Sequence, residues 1–80
     1  MKLPRDLGGN ELAKLLSKLG YQITRQVGSH IRLETSLNGL HHLTIPAHSS
    51  LRIGTLNAIL LDVAQHHKID KQKLLTIIFG

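Results

Sequence analysis

Six histidines stand in this chain of 80 residues, which has no cysteine. Four of them form adjacent pairs, His41-His42 and His66-His67, while His30 and His48 stand alone. His30 has the most suggestive surroundings: Arg25-Gln26-Val27-Gly28-Ser29-His30-Ile31-Arg32 places an arginine at each end of the run. An imidazole titrates near pH ~6.5, so it serves as base or acid at neutral pH. Neighbouring cations stabilise negative charge as it develops. The combination suits proton transfer on an anionic substrate. The alternative is a strand-edge histidine that hydrogen-bonds a neighbour and does no chemistry.

The paired histidines invite a metal reading, and the spacing argues against it. Neighbouring residues on a strand point to opposite faces, and adjacent helix positions diverge by ~100°. There is no His-x-x-x-His and no thiolate. No metal and no cofactor is therefore expected. His48 follows Pro46 and precedes Gly54-Thr55. Three roles are open to it: a second acid or base, a phosphate contact beside a helix N-terminus, or holding its loop.

Ten Lys/Arg against five Asp/Glu give a formal charge of +5. A small basic chain suits an anionic partner, either nucleic acid or an acidic protein, with solubility as the bland alternative. Lys14, Lys18, Arg25, Arg32 and Arg52 are the candidate phosphate contacts; each is otherwise a solvated surface charge. Tyr21 and Phe79 are the only aromatics, so stacking on bases is not the expected mode of contact. No apolar run approaches the ~20 residues of a membrane span. Met1 to Asp6 carries no signal-peptide core. The lack of cysteine fits a reducing cytoplasm.

These residues need elements to position them. Leu12, Leu15, Leu16 and Leu19 recur on one helical face between Gly8-Gly9 and Gly20, which predicts a helix from about Gly9 to Leu19. Before it, Leu3 is expected to tuck into the core and Pro4 to keep the lead-in extended. Tyr21 to Gln26 alternates as a half-buried strand, with Tyr21, Ile23 and Arg25 on one side and Gln22, Thr24 and Gln26 on the other. Val27-Gly28-Ser29 is a turn. His30 to Ser36 alternates again, and Asn38-Gly39 is a hairpin signal. His41 to Ile45 makes a third strand, ended by Pro46.

One face of this antiparallel meander is apolar and must be covered by helices. The other carries Gln22, Thr24, Gln26, His30, Arg32, Glu34, His42 and Thr44, without a cover. Leu56, Ile59, Leu60, Val63 and Ala64 form the stripe of a second helix, whose last-turn His66, His67 and Lys68 suit the negative end of the dipole. Asp70 caps a short third helix, and the apolar tail Ile77 to Gly80 is expected to dock on the core or on another chain. The fold class is α+β, in the order α-β-β-β-α with a C-terminal helical extension over 69–80. All of it forms one domain over 1–80.

Several segments together resemble the HicA family: Lys2-Leu3-Pro4-Arg5-Asp6-Leu7, Leu19-Gly20-Tyr21, Arg25 to His30, Thr44-Ile45-Pro46-Ala47-His48, and Gly54-Thr55-Leu56 with Ile59-Leu60. The resemblance covers roughly residues 2 to 64, in order and with compatible spacing. It implies a double-stranded-RNA-binding-like fold and a toxin that cleaves mRNA without metal. The implied partners are RNA and a HicB-like antitoxin that covers the active surface. The family's Gly-Ser-His motif falls on Gly28, Ser29 and His30, which makes His30 the implied catalytic residue. Two features depart from the commoner pattern: the glycines that open the first helix, and the loop from Leu37 to His42.

For RNA, the 2′-OH is the nucleophile. Its proton needs a base, the phosphorane needs positive charge, and the 5′-oxygen needs an acid. By alternation Arg32, Thr24 and Gln26 are expected on the face of His30. Gly28 permits a positive-φ turn and Ser29 a hydrogen bond to phosphate or to the turn. Lys14, Arg25, Arg32 and His48 are the expected RNA contacts beside them. Two competing readings need no catalytic histidine: a non-catalytic RNA-binding module, and an inactive antitoxin-binding domain.

Overall fold

Leucine periodicity builds the first helix, and glycine decides where it begins. In the computed structural model, which describes residues 6–80, α1 spans Gly9–Leu16 and continues as a 3₁₀ turn over Ser17–Leu19. The expected places of Leu3 and Pro4 lie outside the described residues. Leu12, Leu16 and Leu19 are buried. Gly8 is the N-cap, and its N–H donates to Glu11 Oε1 at 3.0 Å. Gly9 is required by contact: a Cβ there would stand 1.9 Å from the carbonyl oxygen of Pro46. Gly20, at φ +81°, turns the chain out of the helix.

Three strands follow in the order β1-β2-β3, antiparallel throughout: β1 Gln22–Val27, β2 His30–Thr35 and β3 His41–Pro46. Their inward residues Ile31, Leu33, Leu43 and Ile45 pack against α1, α2 (Ile53–His67) and α3 (Lys71–Phe79). The predicted stripe of α2 is buried residue for residue. Asp70 caps α3 by accepting from the Lys73 N–H at 2.7 Å. Leu74, Leu75 and Ile78 enter the core, and the tail docks with Ile77 and Phe79 half-buried. Lys18 Nζ donates to the carbonyl of Ile78 at 3.1 Å, tying the end of the chain to the 3₁₀ turn after α1.

β1 departs from expectation in two ways. It is exposed along its whole length, not half-buried: the helices cover β2 and β3, and Ile23 stays 54% exposed at the sheet edge. It also carries a bulge at Thr24, between the pairs Ile23↔Leu33 and Arg25↔Arg32. An extra residue reverses the side-chain alternation beyond it. Gln26 therefore pairs with inward-facing Ile31, while Arg25 and Val27 join the outer face that Gln26 was expected to share.

His67 stands in the last turn of α2, as expected, and is buried there. The Asn38 amide donates to His67 Nδ1 at 3.1 Å, so His67 carries its proton on Nε2 and donates it to the Tyr21 hydroxyl at 3.1 Å. Tyr21 donates in turn to His41 Nδ1 at 2.6 Å, and His41 Nε2 donates to Asp62 at 3.1 Å. His66 stacks on His41 at 4.4 Å and donates to the carbonyls of Leu37 and Gly39. This chain of bonds ties the β2–β3 hairpin to the end of α2. Burial, and then the charges His66 and His41 would carry, lower the pKa of His67. Burial, and then Asp62, raises that of Tyr21.

Candidate nucleic-acid interface

The site is built from one tight turn and one bulge. Gly28 occupies the first central position of the two-residue hairpin between Val27 and His30, at φ +58°. This is the Gly-first turn whose twist matches the strands it joins. The Ser29 carbonyl accepts from Ala47 N–H at 2.6 Å, which fastens the turn to the end of β3. The Ser29 side chain stays exposed. His30 opens β2 between Val27 on one side and Pro46 on the other.

The bulge brings the second arginine into place. With Thr24 as the extra residue, Arg25 lies directly opposite Arg32, and Arg32 pairs on its other side with Thr44. The result is a solvent-open hollow of about 480 Å³ lined by Arg25, Val27, His30, Arg32 and Thr44. It holds two guanidiniums, an imidazole and a hydroxyl, and no carboxylate. Like charges directly opposite one another weaken a strand pair. An arrangement that keeps two arginines face to face is suited to an anion lying between them. Planar guanidinium donors match phosphate geometry.

A family model described as the HicA toxin of bacterial toxin–antitoxin matches residues 9–73. The chain belongs to the HicA toxin family. It is thus the toxin type of a toxin–antitoxin pair, whose counterpart is an antitoxin. Comparison with curated proteins and with solved structures gives no match.

In this HicA-family chain the other residues singled out in the sequence are dispersed. Lys14 is exposed on α1, in the helical layer behind the sheet, so it does not share the hollow with His30. Lys18 is engaged with the C-terminal helix. His48 is exposed and does not line the hollow; its carbonyl accepts from the Gly9 N–H at 2.9 Å, at the start of α1 and not of α2. Sequence reasoning missed Val27 as a wall of the hollow and set Arg25 facing the wrong way. Among the described residues no three His, Asp or Glu side chains are grouped to hold a metal ion. No helix among them is long and apolar enough to cross a membrane.

Proposed function

We propose that this HicA-family toxin is an endoribonuclease that cleaves mRNA on the exposed face of its sheet, with His30 as the catalytic base. The observation that carries the reading is the convergence of His30, Arg25, Arg32 and Thr44 on one open hollow free of carboxylates. RNA brings its own nucleophile, so the protein needs only a base and a cradle for charge. His30 takes the proton of the 2′-OH as the 2′-oxygen bonds to phosphorus. Arg25 and Arg32 hold the equatorial oxygens as charge accumulates. The bond to the 5′-oxygen breaks, and water in the open hollow supplies its proton. No step requires a metal or a cofactor.

Gly28 and Ser29 act by position. The turn they form sets His30 at the end of β2, on the solvent side; a one-residue slip would send it into the core. A HicB-like antitoxin neutralises the toxin by covering this face. Expression in bacterial cells tests the reading. Growth arrest is expected, with relief by His30→Ala and by co-expression of the antitoxin. Undiminished arrest with a folded His30→Ala protein contradicts it.

A further inference from the structure

Beyond Arg32 the exposed face changes character. A second hollow, of about 300 Å³, is lined by Gly20, Gln22, Thr24, Glu34 and Ser36. It adjoins the first, because Glu34 and Arg32 are alternate residues of β2 and leave the same face ~6.6 Å apart. Its lining holds one carboxylate, one amide and two hydroxyls, with no cation. Gln22 lies directly opposite Glu34. Among the described residues no Lys or Arg side chain lies within ion-pair distance of the Glu34 carboxylate.

This lining repels a phosphate and favours a neutral ligand rich in N–H donors. Such a ligand next to a phosphate site is a nucleobase. There is no aromatic platform in the hollow, so a base held there is recognised by its edge. A carboxylate only accepts hydrogen bonds and can take two in parallel. Among the RNA bases, guanine alone presents two adjacent donors, N1–H and N2–H₂, on its Watson–Crick edge. Adenine and cytosine set a donor beside an acceptor there, and uracil flanks one donor with two acceptors. Each of the three would set a lone pair against Glu34.

Resting on the ribonuclease reading, we propose that this hollow is a guanine pocket for the nucleotide adjoining the phosphate held by Arg25 and Arg32. Glu34 accepts from N1–H and N2–H₂, and the Gln22 amide donates to O6. The edge must be unpaired to be read this way, so the substrate is single-stranded at that nucleotide. The bulge contributes directly, since it places Thr24 at this pocket and Arg25 at the neighbouring one.

The test uses short RNAs with one guanosine in a uridine run, and the same RNAs with adenosine, cytidine or uridine at that place. Cleavage is measured with the full chain and binding with His30→Ala, each with and without Glu34→Gln. The expected result is a guanine preference of roughly 5- to 150-fold, the range of a good bidentate base contact, that falls to near one with Glu34→Gln. Loss of the preference with Gln22→Ala in part, and with Glu34→Gln in full, further supports the pocket. Cleavage without guanine preference, or with a preference that survives Glu34→Gln, overturns the pocket and leaves the ribonuclease reading standing. Guanine-selective binding without cleavage supports the pocket and overturns the ribonuclease reading. No cleavage and no binding of any RNA overturns both.

Discussion

Arg25 stands directly opposite Arg32 across the β1–β2 ladder, and no carboxylate lines the hollow they share. The free protein carries this repulsion as a small cost, and an anion between the two guanidiniums would remove it. Arg25→Thr should therefore separate stability from function. Thermal unfolding of the free protein should stay level or rise slightly, within the ~0.2–1 kcal/mol of a cross-strand pair. RNA affinity should fall, and the slope of log affinity against log salt should shrink by ~0.7 for each phosphate no longer neutralised. A destabilised variant with unchanged RNA affinity would show that Arg25 is structural.

Two glycines should respond differently to the same substitution. A Cβ at Gly28 meets nothing within 4 Å, so Gly28→Ala carries only the strain of φ +58°, ~1–2 kcal/mol. A Cβ at Gly9 runs into the Pro46 carbonyl. That close backbone approach holds α1 against the end of β3, so Gly9→Ala should be the more damaging, by the ~1–3 kcal/mol or more of an overpacked core. Unfolding midpoints rank the two. In cleavage assays at low temperature, Gly28→Ala should lose more activity than its stability explains, because it moves His30.

Acid should weaken the fold through His67. Its pKa is lower folded than unfolded, because burial and its histidine neighbours oppose the charge. The unfolded chain then binds more protons, so stability rises with pH. The contribution is complete above the unfolded value near ~6.5. It is lost as pH falls toward and through the lower folded value. Protonation of His67 on Nδ1 also sets a second donor against the Asn38 amide. Urea unfolding between pH 7.5 and 5.5 should show a decline that shrinks in His67→Gln. An equal decline in that variant would assign the effect elsewhere.

The helices were legible because their signals are local. Leu56 to Ala64 recurs on one face, Asp70 stands where a cap is needed, and Gly20 ends its helix. The outward placing of His30, Arg32, Glu34, His42 and Thr44 was legible for the same reason, as unbroken alternation in β2 and β3. The bulge at Thr24 was not. Nothing in Gln22-Ile23-Thr24-Arg25-Gln26-Val27 marks an extra residue, and the reversal it causes decides whether Arg25 faces the hollow with His30 or the core side. Nor was the bond chain from Asn38 to Asp62 visible, since its members come together from positions 21, 38, 41, 62 and 67 only after the sheet and α2 have packed.

The most direct measurement is cleavage of a labelled single-stranded RNA by the purified protein, with chelator present, beside His30→Ala of equal fold content. The parent should cut the RNA and leave a 2′,3′-cyclic phosphate and a free 5′-hydroxyl. His30→Ala should cut ~10²–10⁴-fold more slowly, with RNA binding largely retained. Equal cutting rates for the two proteins would contradict a catalytic role for His30.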